Sequence, residues 1–204
     1  YFDPFFVTLP FFYQKPTVIT VHDLIPLVFP EHFPPGIRGG LKWHYQRMRL
    51  SQAKRIITDS RSSKKDIVCI AGASQSRIDV IPLAASPKFW QITDESELSR
   101  VKKQYHLPEN FVLYVGDVNW NKNILGMLEA FERVRRQASG VQLVLVGKAF
   151  FQGSVEAREI NTYITAHKLN DEIVRIGSVP LEDLVAIYNL ASVYIQPSLY
   201  EGFG

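Results

Sequence analysis

The sequence has little of several features that would assign it to a specialised class of protein. It has a single cysteine, Cys69, so no disulfide can form within the chain and we expect a reducing, cytoplasmic compartment. No apolar run approaches the ~20 residues that a membrane-spanning helix needs. The first ten residues are aromatic and lack the basic segment of a signal peptide. With 204 residues, 46% hydrophobic and 21% charged, the chain suits one large or two small globular domains.

Familiar motifs of metal, nucleotide and hydrolase sites are also missing. The five histidines and one cysteine show no metal-ligand spacing, so no metal site is expected. No predicted strand leads into Gly-x-Gly-x-x-Gly, and no Gly-Lys pair precedes Ser or Thr, which disfavours a dinucleotide site and a Walker-type ATPase. Ser198 is not set in a nucleophile elbow.

The net charge of +3 is unevenly distributed along the chain. Residues 1–85 hold 11 lysines and arginines against 6 acids, whereas residues 86–204 hold 12 against 14. The basic excess is concentrated in Arg38, Lys42, Arg47, Arg49, Lys54 and Arg55. Such a helix face is either simply solvated or makes a peripheral contact with an anionic membrane, here the inner membrane face. No nucleic acid is expected as a partner, because no nucleic-acid motif accompanies the charge.

The second half alternates between apolar runs and helical spacing. Four apolar runs are predicted as buried parallel strands, at residues 111–116, 141–146, 173–176 and 193–195. Between them, apolar residues recur at helical intervals, as at Ile124, Met127 and Leu128. Pro180 stands where a first helical turn accepts proline, and Glu182 and Asp183 complement the dipole of the helix before the last strand. The alternation predicts a doubly wound parallel sheet.

The first half predicts a shorter sheet of the same kind. Strands are expected at residues 18–21, 56–58 and 78–83, and a long helix at residues 41–53. Ser60 is a plausible N-cap for a helix that ends at Gly72. Two or three strands make a poor independent sheet, so we expect further material before Tyr1. Residues 86–107 are predicted as the linker between the halves.

The loop after the strand at 111–116 carries the clearest candidate for a phosphate site. Gly116 ends the strand, and Lys122 stands where the next helix begins, near Asn123. A helix N-terminus offers N–H groups and partial positive charge, and a lysine adds a full charge, which together suit a diphosphate. The same pattern also occurs as an ordinary strand-to-helix turn with a surface lysine.

This segment resembles the strand, loop and helix of GT-B fold retaining glycosyltransferases of family 4, also called glycosyltransferase group 1. The family usually places two basic residues before the asparagine; Lys122 and Asn123 match, and Asn121 stands where the other basic residue is usual. The resemblance implies that Gly116, Asn121 and Lys122 hold the donor diphosphate, with a single cation instead of two.

The last residues resemble the family's most diagnostic element. Glu201-Gly202-Phe203-Gly204 matches the Glu-x-Phe-Gly motif. The resemblance implies that Glu201 contacts the donor sugar, while Gly202, Phe203 and Gly204 line the donor site. The family's second glutamate would follow Gly204, so we expect the sequence to stop inside its own active site.

A histidine in the first half completes the resemblance. His22 and Asp23 follow a predicted strand, as does the family's histidine at the domain cleft, which faces the donor sugar and the reacting centre. His22 and Glu201 are therefore the predicted catalytic residues. Asp23 is the expected orienting partner of the imidazole. A histidine at a strand end is otherwise commonly a hydrogen-bonded turn residue.

The resemblance implies a GT-B fold with two Rossmann-like domains, both incomplete here. Residues 1–85 would be the C-terminal part of the acceptor-side domain, and residues 108–204 the nucleotide-sugar donor-binding domain. The implied enzyme moves a hexose from a nucleotide diphosphate sugar, such as GDP- or UDP-hexose, to a hydroxyl acceptor with retention, in bacterial polysaccharide or glycolipid assembly. No cofactor or metal is implied.

Two other functions remain open on the sequence alone. A nucleotide-sugar 2-epimerase shares the GT-B architecture, and an inactive nucleotide-binding fragment would carry the same motifs. Because the sequence is expected to be truncated at both ends, we expect the 204 residues alone to be inactive.

Overall fold

The computed structural model of the chain describes residues 15–138 and 140–203, which divide into two compact units. The first unit holds residues up to 84 together with residues 200–203, and the second unit is Ala85–Leu199. Each unit is built on its own sheet, and every strand pairing is parallel. The predicted α/β class with two parallel sheets is therefore confirmed. Residues 200–203, predicted with the second half, pack with the first unit.

The described part of the first unit contains a three-stranded sheet in the order β1-β2-β3. Its elements are β1 (Val18–Thr20), α1 (Ile25–Val28), α2 (Gly36–Gln52), β2 (Arg55–Thr58), α3 (Arg61–Asp66) and β3 (Ile78–Val80). A π-helical turn, Ile67–Ala71, continues α3, and a 3₁₀ turn, Gln75–Arg77, precedes β3. Leu50, Ile56 and Ile67 form part of the core that joins the helices to the sheet.

Both predicted ends of α3 have a physical cause. The Oγ of Ser60 accepts the backbone N–H of Ser63 at 3.0 Å, which satisfies one of the unpaired donors of the first turn. Gly72 follows the π-helical turn with a φ of 71°, a left-handed conformation that glycine adopts without steric cost.

The described part of the second unit contains a four-stranded sheet in the order β6-β5-β4-β7. Its elements are α4 (Glu95–Gln104), β4 (Phe111–Val115), α5 (Ile124–Arg135), β5 (Gln142–Val146), α6 (Val155–Ala166), β6 (Ile173–Ile176), α7 (Leu181–Leu190) and β7 (Val193–Tyr194). Helices cover both faces of the sheet. Leu143 and Leu145 pack with α5 and α6, whereas Val144 and Val146 pack with α4 and α7. The sheet is therefore doubly wound, as predicted.

The segment predicted as a linker, residues 86–107, contains helix α4. Asp94 caps it, accepting the backbone N–H of Ser96 at 2.8 Å, and Val101 is fully buried against the second sheet.

Hydrogen bonds between polar side chains also join α4 to α7. Asp183 of α7 accepts hydrogen bonds from the phenol of Tyr105 at 2.6 Å and from Arg100 at 2.7 Å. Asp183 was expected only to complement the helix dipole; the structure places it inside a polar contact between α4 and α7.

Two further differences concern the first unit. The third strand ends at Val80, earlier than the predicted residue 83. The N–H of Ile81 still donates to the carbonyl of Thr58, but the next residue, Pro82, has no N–H and cannot continue the pairing. Arg49, counted with the solvated basic face, is 1% exposed and donates to Gln52.

Candidate functional site

The carboxyl ends of β1 and β2 bring together a histidine and a carboxylate. The strands are parallel neighbours with Thr20 opposite Ile57, so the residues that follow them emerge at the same edge of the sheet. His22 Nδ1 lies 2.6 Å from the Oδ2 of Asp59. The side chain of Asp59 is 7% exposed, and that of His22 is 48% exposed. A carboxylate can only accept, so Nδ1 carries the proton and Nε2 is the imidazole nitrogen left for a ligand.

Asp23 has a different role from the one we expected. Its Oδ1 accepts the backbone N–H of Ile25 at 3.0 Å, at the start of α1. The predicted orientation of the imidazole by Asp23 is therefore wrong, and the orienting carboxylate is Asp59. Sequence reasoning missed this partner because the two residues are 37 positions apart. The signal that could have found it is that both follow neighbouring parallel strands.

The predicted Glu-x-Phe-Gly segment packs beside His22 within the first unit. A Cβ on Gly202 would lie 2.8 Å from the Cβ of Asp23 and 2.9 Å from the carbonyl oxygen of His22. No side chain fits there, which accounts for the glycine. Glu201 is half-buried and Phe203 is exposed. Gly204 lies outside the described residues.

In the second unit, the loop after β4 is fixed by its own backbone and by Tyr114. The phenol of Tyr114 donates to the carbonyl of Asp117 at 2.6 Å, and the Asp117 carboxylate accepts the N–H of Val118 at 2.8 Å. A Cβ on Gly147, at the end of β5, would lie 2.2 Å from the carbonyl oxygen of Gly116. The loops after β4 and β5 therefore lie too close together for any side chain at position 147.

The same loop is joined to the chain that follows β7. The backbone N–H of Leu199 donates to the carbonyl of Asn121 at 2.8 Å. Asn123 begins α5 in a left-handed conformation, with a φ of 54°, and its Nδ2 donates to the carbonyl of Pro197 at 3.1 Å. Gly126 leaves room for that side chain, since a Cβ there would lie 2.6 Å from Asn123 Oδ1. Asparagine is among the residues that tolerate this backbone conformation.

Two of the three predicted diphosphate residues of this loop, Lys122 and Asn121, differ in accessibility. Lys122 is half-buried and ends the 3₁₀ turn Trp120–Lys122, two residues before α5 begins. Asn121 is only 4% exposed. Its position inside the loop favours a structural role, whereas Lys122 and Gly116 remain predicted donor contacts.

Two kinds of feature are absent from the described residues, 15–138 and 140–203. They contain no group of three or more His, Cys, Asp or Glu side chains that could hold a metal ion. None of their helices has the length and apolarity needed to cross a bilayer.

Comparison with known proteins gives matches in both halves of the chain. The family model described as "Glycosyl transferases group 1" matches residues 95–204, and "Glycosyltransferase Family 4" matches residues 1–88. The serotype-specific mannosyltransferase WbdA of Escherichia coli is 25% identical over 193 residues, which are 92% of this chain and 23% of that protein. O-antigen chain mannosyltransferase B of E. coli is 29% identical over 190 residues, 92% of this chain and 48% of the relative. The chain thus spans about half or less of these relatives.

Solved structures share the fold. Sucrose-phosphate synthase from Thermosynechococcus elongatus superposes with a TM-score of 0.73 at 24% identity, over 94% of this chain and 47% of the other. Anabaena HepE in complex with UDP-glucose gives a TM-score of 0.75 at 20% identity, over 94% and 49%. These likenesses confirm the GT-B fold. The group 1 family model covers more than half of the residues, and the chain therefore belongs to the glycosyl transferases of group 1.

Proposed function

We propose that the protein containing this chain is a glycosyltransferase that moves a hexose from a nucleotide diphosphate sugar to a hydroxyl acceptor with retention of configuration. The acceptor would be a growing bacterial polysaccharide or glycolipid. Named relatives support this class, since they include O-antigen mannosyltransferases. HepE, which has the same fold, was solved with UDP-glucose, which supports a nucleotide-sugar donor. The observation that carries the proposal is the position of Lys122, two residues before the N-terminus of α5.

The chemistry of transfer explains what Lys122 would do. Breaking the bond between the anomeric carbon and the diphosphate leaves negative charge on the departing oxygens. A fixed lysine and the N–H groups of a helix N-terminus favour that charge as it develops, so they stabilise the transition state more than the ground state. The approach of Gly116 to Gly147 would let backbone come near the phosphates. We include no cofactor or metal in the proposal, because this positive charge suits the diphosphate.

The first unit would contribute groups that recognise the sugar. Asp59 holds the proton of His22 on Nδ1, so Nε2 is an acceptor for a sugar hydroxyl. Glu201, next in sequence to Gly202, would accept further hydroxyl hydrogens. We place His22 near the anomeric centre and Glu201 on the ring hydroxyls. Both are acceptors when His22 is neutral, which suits a ligand rich in O–H donors.

The alternatives predicted from the sequence receive less support. A nucleotide-sugar 2-epimerase would release an altered sugar and free nucleotide without any acceptor. The relatives named above are transferases, which favours transfer. An inactive nucleotide-binding fragment would bind nucleotide without turnover.

We also propose that helix α2 makes the peripheral contact with anionic membrane. The helix has no Asp or Glu, and two of its apolar side chains are unusually exposed, Ile37 at 87% and Leu41 at 69%. They lie one turn apart on the same face, next to the exposed Arg38 and Lys42. Exposed apolar side chains beside cations suit the headgroup region of an anionic bilayer.

The basic residues of α2 do not contribute equally to this surface. Arg49 is buried, so its predicted part in the contact is wrong. Arg47 donates to the carbonyl of Ala71 at 3.3 Å, which ties it to the end of the π-helical turn. The membrane surface of α2 is therefore defined as Ile37, Arg38, Leu41 and Lys42.

Calorimetric titration tests the donor site. Lys122→Ala should weaken binding of UDP or GDP by roughly 10- to 150-fold, the equivalent of a charge-assisted hydrogen bond of about 1.5–3 kcal/mol. Affinity for uridine or guanosine, which have no phosphates, should be equal in both proteins. Lys103→Ala, on the exposed surface of α4, is the matched control and should change neither affinity. Unchanged diphosphate affinity in Lys122→Ala would remove the main support for the proposal.

A further inference from the structure

Tyr200, the residue before Glu201, contacts Asp66, Ser62 and Phe29 of the first unit. Its phenol donates to the Oδ2 of Asp66 at 2.7 Å. The same phenol oxygen lies 3.2 Å from the Oγ of Ser62. Its ring meets the ring of Phe29 edge to face, with centroids 5.2 Å apart and planes at 72°. Aromatic pairs prefer this arrangement.

The hydrogen bond to Asp66 persists across the neutral pH range. Burial raises the pKa of the Tyr200 phenol, and the bond to the Asp66 carboxylate raises it further. The phenol therefore keeps its proton and remains a donor wherever an enzyme of neutral pH works. A bond from a neutral donor to a carboxylate is stronger than one between neutral groups.

The residue after Glu201 is fixed as well. The Oγ of Ser63 donates to the carbonyl of Gly202 at 3.2 Å. Gly202 also lies against the backbone of His22, where no Cβ could fit. Successive Cα atoms are 3.8 Å apart, so a residue whose two neighbours are both anchored has little freedom of its own. Both anchors start from α3, since Asp66 ends that helix and Ser63 lies in its first turn.

We propose that Tyr200 is a positioning residue, and that its bond to Asp66, together with the bond from Ser63 to Gly202, holds Glu201 beside His22. The inference rests on the proposed function, in which Glu201 binds sugar hydroxyls. A fixed carboxylate binds a hydroxyl without first losing rotational and backbone freedom. Release of Tyr200 would leave Glu201 present but poorly placed, a fault that costs rate even when the site residues are intact.

The second unit offers a matched control for the phenol-to-carboxylate bond. Tyr105 donates to the Oδ2 of Asp183 at 2.6 Å, in the contact between α4 and α7. Tyr105→Phe removes the same kind of bond as Tyr200→Phe, and both variants keep the ring. A general loss of stability should therefore appear in both variants, whereas loss of the Glu201 anchor should appear only in Tyr200→Phe.

Amide hydrogen exchange tests the anchor without any activity. Exchange in the peptide that contains residues 200–203 should be about 10-fold or more faster in Tyr200→Phe, and unchanged in Tyr105→Phe. Asp66→Ala should give the same increase, and adding Asp66→Ala to Tyr200→Phe should change little, because the bond is already gone. Asp66→Asn keeps an acceptor oxygen and should restore part of the protection. Unchanged exchange in Tyr200→Phe would overturn the proposal.

Turnover of a nucleotide sugar by the full-length protein tests the functional step. Tyr200→Phe should lower kcat/KM by roughly 10-fold, the size expected for a lost hydrogen bond to a charged group. Affinity for UDP or GDP, which lack the sugar, should stay within about two-fold. Faster exchange with unchanged kcat/KM would overturn the positioning role and leave the proposed function intact. A parent protein that neither binds nor turns over any nucleotide sugar would overturn both, and the exchange result would remain a separate finding about the anchor.

Discussion

The carboxyl edges of the two sheets differ in the kind of contact that shapes them. In the first unit, side chains define the edge, since the nearly buried Asp59 holds the imidazole of His22 at 2.6 Å. In the second unit, side chains such as Tyr114 and Asn123 also hold the loops, but the closest approach is between two backbones. The carbonyl of Gly116 leaves no room for a Cβ on Gly147, and the N–H of Leu199 donates to the carbonyl of Asn121.

This difference separates two kinds of binding. An edge built from hydrogen-bonding side chains suits a neutral ligand with many hydroxyl groups. An edge where backbones approach closely, next to a lysine and a helix N-terminus, suits an anion that needs near contact with N–H groups. A change of one side-chain atom should therefore disturb the first edge, and an added methyl group should disturb the second.

The largest expected effect, on kcat/KM, comes from breaking the pair of His22 and Asp59 in the first unit. Asp59→Asn keeps the shape but removes the charge that fixes the proton on Nδ1 of His22. An amide can donate as well as accept, so the imidazole tautomer is no longer defined. We expect kcat/KM for the nucleotide sugar to fall by roughly 10- to 150-fold, with the affinity for UDP or GDP unchanged.

A second histidine–carboxylate pair supplies the control. His167 Nδ1 lies 2.9 Å from Glu132 on the surface of the second unit, and Glu132 also pairs with Arg136. Glu132→Gln makes the same chemical change away from both sheet edges, so it should alter kcat/KM by less than about two-fold. Equal losses in the two variants would contradict the special role of the first edge.

The next largest effect, on stability and nucleotide affinity, tests the close approach of Gly147 to Gly116 in the second unit. A methyl group on Gly147 would lie 2.2 Å from the carbonyl oxygen of Gly116, and that neighbour is backbone that cannot rotate away. Gly147→Ala should destabilise the protein by about 1–3 kcal/mol and weaken binding of nucleoside diphosphate, because the loop after β4 must shift. Urea unfolding and calorimetry measure the two effects.

Gly153 provides the comparison for Gly147. A Cβ there meets nothing within 4 Å, so Gly153→Ala should leave stability and nucleotide affinity nearly unchanged. Similar behaviour of the two alanine variants would mean that the loops after β4 and β5 can separate without cost. In that case the close approach would have no part in donor binding.

Most of the fold was predictable because its signals are local. The apolar runs of the second half and the helical spacing between them predicted β4 to β7 and α5 to α7, and the parallel sheet followed from their alternation. Helix α4 was missed because it is short of apolar residues. Its signals were nonetheless present in the Asp94 cap, the acids of the first turn and the lysines of the last.

The candidate site was predictable where it depends on residues close in sequence. The order from Gly116 to Asn123 and the terminal Glu201-Gly202-Phe203 segment were recognisable as motifs. The partner of His22 was not, because the pairing with Asp59 depends on which strands are neighbours. Burial of Arg49 and Asp183 was missed for the same reason, since a charged residue is assigned to the surface until the packing around it is known.

A smaller effect concerns Asp183, a buried carboxylate in the contact between α4 and α7 of the second unit. Hydrogen bonds from Tyr105 and Arg100 lower the pKa of Asp183, against the opposing effect of burial. Asp183→Asn should lower the free energy of unfolding at pH 7 by about 1–2 kcal/mol, since the amide keeps an acceptor and Arg100 is half exposed.

The pH dependence of this loss has a definite sign. A carboxylate with a lowered pKa stabilises the folded state above its unfolded pKa, about 3.9, and that stabilisation disappears as the pH falls through the folded value. Urea unfolding of the parent and Asp183→Asn should therefore differ at pH 7, and the difference should shrink through the acid range below the unfolded pKa. A difference that stays constant over this range would mean that the charge of Asp183 contributes nothing, and that the variant acts through packing alone.

The smallest expected effect is on membrane binding. We assign this binding to the first unit, because the excess of basic residues lies in the first 85 positions. Each lysine or arginine near an anionic bilayer contributes roughly 1 kcal/mol, which is about five-fold in affinity. Lys42→Gln should therefore weaken sedimentation with vesicles that contain anionic lipid by about five-fold at low salt, and by less at high salt. Ile37→Ser should weaken it at both salt concentrations, because apolar insertion is not screened.

Lys103→Gln, on the second unit, is the control and should bind to the vesicles like the parent. Equal binding to neutral and anionic vesicles would contradict the part given to Arg38 and Lys42, and the absence of binding to either would assign the exposed face of α2 to ordinary solvated surface.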